Sequence, residues 1–182
     1  MMPNKDKWIF GITGPTGSGK SQVAGLFSPY DAYILDIDQV GHDVLATTAY
    51  PQVVAAFGAS ILNEDQTVNR KKLGTIVFSD AAELETLNRI MHSHIQKRVF
   101  SLVSQALLSH DIIVLDGALL FDMKLHLICT HTILVLANEK YRLARIINRD
   151  QLDKTQAQNR INSQRDYTQL LALVDIVIEN TM

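Results

Sequence analysis

The segment Gly14-Pro15-Thr16-Gly17-Ser18-Gly19-Lys20-Ser21 constrains this chain more than any other part of it. It satisfies G-x-x-x-x-G-K-[ST], follows the apolar run Trp8 to Ile12, and precedes a helical run carrying Val23, Ala24, Leu26 and Phe27. A strand that turns through glycines directly into a helix aims successive backbone N–H groups at one point, beside a helix N-terminus that already favours anions. That point suits phosphate oxygens, with Lys20 reaching the β- and γ-phosphates and the Ser21 hydroxyl ligating Mg²⁺. A glycine-rich turn with a chance Lys-Ser after it would not need the strand before it or the helix behind it. The segment reads as a nucleoside triphosphate site.

The rest of the chain repeats the same alternation. Apolar, β-branched runs recur at Tyr33 to Leu35, Ile112 to Leu115, Thr132 to Leu136 and Ile176 to Ile178. Near-continuous apolarity predicts strands buried on both faces of a parallel sheet. Between them, Leu84, Leu87, Met91, Ile95, Val99, Leu102 and Ala106 predict one long amphipathic helix, and Leu143, Ala144 and Ile147 a second over about 139–148. The architecture is α/β with right-handed crossovers. Residues 40–108 are too long for one crossover and predict a mostly helical excursion over one edge of the sheet. Arg149 to Lys154 is polar and mobile in character, and Thr155 with Gln158 has capping-box spacing for a new helix. No repeat or linker divides the chain, so 1–182 reads as one domain.

Composition removes several function classes. Among 182 residues, 17 basic and 19 acidic side chains give a net charge of −2, which leaves no pervasive basic field for nucleic acid. The one cysteine, Cys129, forms no intrachain disulfide and no multi-cysteine zinc site, and its apolar setting suggests a buried inert thiol. The polar start, Met1 to Lys7, has no secretory core, and no apolar run reaches the roughly 20 residues that span a bilayer. A soluble, reduced, cytoplasmic protein is expected.

Acids and arginines refine the site. Alternation along the second strand puts Asp36 and Asp38 on one side, beyond the carboxyl edge where ligands bind in such sheets. There they can take a proton from a hydroxyl and help hold Mg²⁺ through water, or simply form a solvated strand end or helix cap. Asp116 closes an apolar strand and is either a second acid near Mg²⁺ or a turn cap. Arg142, Arg145 and Arg149 share a helix face ahead of the polar segment, as in a lid closing over a transferring phosphate; a solvated basic face is the alternative, stronger for Arg142 than for Arg145 and Arg149. His92 and His94 point about 200° apart on their helix and do not chelate one ion, although His92 alone suits a hydrogen bond to substrate.

Taken together, the chain resembles the dephospho-coenzyme A kinases over about Ile9 to Asn180. The segments fall in family order: Gly11 to Ser21, Asp36-Ile37-Asp38, Asn69-Arg70-Lys71-Lys72-Leu73 with Val77-Phe78, Leu87-Asn88-Arg89-Ile90-Met91-His92, and Asp116-Gly117-Ala118-Leu119-Leu120-Phe121-Asp122. Arg145, Arg149-Asp150, Arg160-Ile161 with Gln164, and Val174 to Asn180 follow. Departures include Pro15-Thr16 for Gly-Ile, Gln22 for Thr, Ser93 and Ala118 for Pro, and Asp122 for Glu. The family usually continues into another helix beyond the position of Met182.

The resemblance implies a P-loop kinase fold: a five-stranded parallel sheet flanked by helices, with a helical coenzyme-binding region at about 40–108 and a lid at about 149–160. It implies ATP and Mg²⁺ as cofactors and dephospho-coenzyme A as the small-molecule substrate, with no nucleic acid, no membrane, and a monomer or weak homo-oligomer. Catalysis falls to Asp38, Lys20 and Arg145. ATP contacts fall to Gly14, Gly17, Ser18, Gly19, Lys20, Ser21, Gln22 and Arg149, and substrate contacts to Asp36, His92 and Leu119. Ser21 holds the metal, with Asp38 or Asp116 through water. The loop wording also resembles tRNA dimethylallyltransferases, and a non-catalytic nucleotide switch is a further alternative.

Overall fold

Each apolar run becomes a strand, slightly longer than the run itself, in a computed structural model that describes residues 7–164 and 166–181. They are β1 (Trp8–Thr13), β2 (Tyr33–Asp36), β3 (Ile112–Asp116), β4 (His131–Leu136) and β5 (Ile176–Glu179), all parallel, in the order β2-β3-β1-β4-β5. Helices flank this sheet. Of the polar N-terminal lead, Met1 to Asp6 lie outside the described residues.

The central strands behave as a doubly buried parallel sheet should. On one face Ile12, Val114, Ile133 and Val135 pack with Val23 and Ala24 of α1 (Lys20–Gly25). On the other, Leu134 packs with Tyr167 and Leu170. Burying one such side chain contributes about 1.5–3 kcal/mol, so these clusters hold the strand ends where the phosphate loop begins. The edge strand β5 corrects the expectation of double burial. Ile176 and Val177 are 41% and 42% exposed, because an edge strand has a neighbour on one side only.

The described contacts divide the chain into two compact units, Met1–Asp36 with Gln105–Met182, and Ile37–Ser104. The first holds the sheet, α1, α6 (Glu139–Asp150) and α7 (Lys154–Asn162). Helices α6 and α7 form a hairpin around buried Ile146, Ala157 and Ile161. Gln151 sits in the left-handed region at φ 52° as it ends α6, so the polar stretch is a tight helical turn. The capping box also moves. Asp153, in extended backbone, accepts from Gln156 N at 2.8 Å while the Gln156 side chain accepts from Asp153 N at 3.2 Å. The predicted pair Thr155 and Gln158 lies inside α7, because a carboxylate two residues earlier already satisfies the free N–H groups.

The second unit contains α2 (Ile37–Ala46), α3 (Tyr50–Phe57), α4 (Arg70–Ser79) and most of α5 (Ala81–Ala106). Asn69 caps α4 by accepting from Lys72 N at 3.0 Å. Along α5 the buried positions are Ile95, Val99, Val103 and Ala106, so Val103 takes the place predicted for Leu102. Both lie within one step of the same stripe, and the helix turns the β-branched residue inward.

Candidate active site

The phosphate loop hangs between β1 and α1 and is crowded by its neighbours. Gly19 is the N-cap of α1 at φ 95°, a conformation side chains avoid, and a Cβ there would lie 2.2 Å from the Asn180 amide nitrogen. A Cβ on Gly17 would come within 2.8 Å of the Arg142 carbonyl. The glycine spacing therefore serves two close approaches as well as the turn. No side chain caps α1, and the Ser18 hydroxyl is fully buried with no hydrogen-bond partner among the described residues. Buried polar atoms are normally satisfied, so this one is suited to a ligand oxygen. Lys20 Nζ donates across the loop to the Pro15 carbonyl at 3.3 Å, and Ser18 N donates to the same oxygen at 3.2 Å.

Ser21 and Asp116 meet at the carboxyl ends of the strands. The Ser21 hydroxyl donates to Asp116 Oδ2 at 2.7 Å, and Asp116 is 6% exposed. A hydroxyl and a carboxylate side by side are hard oxygen donors, and this pair fits Mg²⁺. Asp36 is the register partner of Asp116 on the adjacent strand and is exposed. Asp38 does not continue that strand. It falls in the first turn of α2, so the alternation expected to align it with Asp36 does not apply. The chain leaves the extended state at Ile37, which is 1% exposed and starts the helix.

The three arginines divide. Arg145 donates from NH1 to the Gly17 carbonyl at 2.8 Å, which places it beside the phosphate loop. Arg149 pairs instead with Asp150, at 2.7 Å from Nε and 2.9 Å from NH2, and Arg160 joins the same carboxylate at 2.6 Å. Arg142, which the helix face left undecided, is half-buried. It donates from Nε to the Thr16 carbonyl at 3.0 Å and from NH2 to Gln164 Oε1 at 3.0 Å. Loss of water around its guanidinium holds its pKa below the usual range.

Three supporting residues escaped the sequence reading as site members. Gln164 accepts from Thr16 N at 2.9 Å, Asn180 donates to the Ser18 carbonyl at 3.0 Å, and Thr13 donates from its hydroxyl to the Ala118 carbonyl at 3.2 Å. Gln164 and Asn180 lie in segments that carried the family resemblance, but nothing in a linear sequence shows that they touch the loop. Asn180 Nδ2 also lies 3.5 Å from the side-chain oxygen of Gln22. Leu119 is 41% exposed, next to the Ala118 carbonyl that braces the end of β1. His92 lies on α5 in the helical unit, partly buried. Burial, with Asp175 adding to it, pushes the Cys129 thiol up to about 12, so it is no nucleophile at neutral pH.

A sequence profile of the dephospho-CoA kinase family matches residues 8–182. A dephospho-CoA kinase from Halalkalibacterium halodurans is 37% identical over 95% of this chain and 88% of its own length. One from Oryza sativa is 35% identical over 95% and 76%. Among solved structures, TT1252 from Thermus thermophilus has a TM-score of 0.83 at 26% identity, covering 98% of this chain and 91% of that one. The dephospho-CoA kinase from Campylobacter jejuni has a TM-score of 0.68 over 96% and 88%; at 23% identity it speaks for the fold alone.

Proposed function

The chain belongs to the dephospho-CoA kinase family, and from that premise we propose how its residues carry the reaction. It is an ATP-dependent kinase. ATP and dephospho-coenzyme A give ADP and coenzyme A, with the γ-phosphoryl group passing to the ribose 3′-hydroxyl. The matched family favours neither the RNA prenyl transferase nor the silent switch.

Phosphoryl transfer asks a protein chiefly for positioning and for positive charge where negative charge gathers. The backbone of Gly14, Gly17, Ser18 and Gly19, with Lys20, holds the donor phosphates, and the start of α1 at Ser21 and Gln22 adds its N–H groups. Ser21 and Asp116 would hold Mg²⁺, which would supply positive charge against the negative charge of the donor phosphates. The single observation that carries this reading is the Ser21–Asp116 pair, a ready-made oxygen site directly behind the loop lysine. Arg145, beside the loop at the Gly17 carbonyl, and Arg149, from the α6–α7 hairpin, close on the donor phosphates and exclude water. Asp38 orients the acceptor hydroxyl and takes its proton, with Asp36 in support, while His92 and Leu119 contact the coenzyme.

The whole chain acts as one kinase domain, with the helical unit Ile37–Ser104 as its coenzyme-binding region and 149–160 as its lid. The net charge of −2, with no described helix long and apolar enough to cross a membrane, supports a cytoplasmic enzyme of small molecules. A monomer or weak homo-oligomer suffices for this chemistry.

Asp38 is the residue to test, because an acid in the first turn of a helix also stabilises the helix dipole. Asp38→Asn keeps size and hydrogen bonding but removes the charge. Turnover should fall roughly 10²–10⁴-fold with ATP affinity intact, the usual range for a positioned base. A lowered melting temperature with undiminished turnover would assign Asp38 to the helix instead.

A further inference from the structure

We propose that Arg142 and Gln164 are positioning residues that hold the phosphate loop in its ligand-ready shape by gripping both backbone polar groups of Thr16, so that these two side chains set donor affinity without themselves touching the nucleotide. This rests on the proposed function, in which the loop holds the phosphates of ATP.

The grip is closed on every side. Thr16 N donates to Gln164 Oε1 at 2.9 Å, Arg142 Nε donates to the Thr16 carbonyl at 3.0 Å, and Arg142 NH2 donates to the same Gln164 oxygen at 3.0 Å. Both atoms facing that oxygen are obligate donors, which fixes the Gln164 amide with its oxygen toward the loop. Arg145 NH1 then takes the next carbonyl, that of Gly17, at 2.8 Å. Two consecutive carbonyls are thus drawn outward onto α6.

Planar trans peptides turn that outward pull into an inward one. A peptide N–H points opposite to the carbonyl of the residue before it, so anchoring the Thr16 and Gly17 carbonyls turns the N–H groups of Gly17 and Ser18 into the loop. Ser18 N indeed points across it, donating to the Pro15 carbonyl at 3.2 Å. Inward-facing successive N–H groups are what an anion needs. Pro15 contributes no N–H and fixes its own φ, so the shape of the loop around it depends on contacts made at Thr16.

The two gripping residues arrive together. Arg142 lies in α6, and Gln164 follows α7, where its N–H donates to the Ile161 carbonyl at 3.2 Å. Ile146, Ala157 and Ile161 bury the seam between these helices. Arg142 pays for this place with lost hydration, which lowers its pKa, and its hydrogen bonds to Thr16 and Gln164 offset that loss.

The test is a double-mutant cycle on the full chain, using Arg142→Ala, Gln164→Ala, the pair together, and Gln164→Glu. Equilibrium ATP binding, kcat, both KM values and melting temperature are measured on the same preparations. Each single substitution should weaken ATP binding about tenfold, and the double should be no weaker than the weaker single, because both act through one residue. The KM for dephospho-coenzyme A should move less than about twofold, and Gln164→Glu, which keeps the acceptor oxygens, should recover most of the affinity. Losses that multiply in the double, unchanged ATP affinity, or equal losses in both KM values alongside a lowered melting temperature would each overturn the proposal. Failure of the unmodified chain to bind ATP would instead overturn the functional reading beneath it.

Discussion

The Ser21 hydroxyl lies 2.7 Å from Asp116 Oδ2 and donates to it, joining the start of the first helix to the end of a strand 95 positions away in sequence. The sheet makes this meeting possible: Ile12 and Asp116 are register partners on adjacent parallel strands, and the phosphate loop begins just beyond Ile12. Asp116→Asn keeps the geometry and removes the charge that would face Mg²⁺. Turnover at saturating Mg²⁺ should fall, and the Mg²⁺ concentration for half-maximal rate should rise about tenfold or more. An unchanged Mg²⁺ dependence would return Asp116 to the role of a turn cap.

Lys20→Ala should cost catalysis far more than stability. Its 3.3 Å bond to the Pro15 carbonyl is long, so it stays toward the low end of the roughly 1.5–3 kcal/mol that hydrogen bonds to charged groups contribute. Loss of one charged contact to the transferring group should lower kcat about 10²–10³-fold. Circular dichroism and initial rates on one sample separate the two effects. Near-normal turnover in a folded variant would show that the loop does not hold the donor.

Acid should loosen the α6–α7 hairpin. Hydrogen bonds from Arg149, and then the charges of Arg149 and Arg160, hold Asp150 below the usual carboxylate range. A depressed folded-state pKa contributes stability that is present above the unfolded value, about 3.9, and is lost as pH falls through the folded value. Both arginines are about half exposed, so solvent screening limits the contribution to about 0–1 kcal/mol. Protection of 146–161 against hydrogen exchange, taken relative to the intrinsic rate at each pH, should therefore fall modestly below about pH 4, where wild type and Asp150→Asn should converge. Exchange in Asp150→Asn that tracks wild type at every pH would show that the ion pairs contribute nothing.

Much of the fold is legible in the sequence, and the reasons are physical. The five strands follow from apolar, β-branched runs, and the loop from glycines flanked by a strand and a helix. Where the reading slipped, tertiary position outweighed local pattern. Ile176 and Val177 look like buried strand residues, yet sheet order places them at an edge. Asp36 and Asp38 look like one strand end, yet the chain turns helical between them. Arg142, Arg145 and Arg149 share a face as predicted, but periodicity gives the face without its partners. Arg145 reaches Gly17, Arg142 reaches Thr16, and Arg149 stays with Asp150. Gln164 and Asn180 could be found only through contacts spanning 148 and 162 positions.

The identity of the acceptor tests the central claim most directly. The purified protein with ATP and Mg²⁺ is offered dephospho-coenzyme A, adenosine, AMP or tRNA, and ADP formation is followed while the new phosphate is located by mass spectrometry. ADP should form rapidly with dephospho-coenzyme A alone, one equivalent per coenzyme A made, with the new phosphate on the ribose 3′-hydroxyl. Turnover indifferent to the acceptor, or a prenyl group delivered to tRNA, would contradict the account.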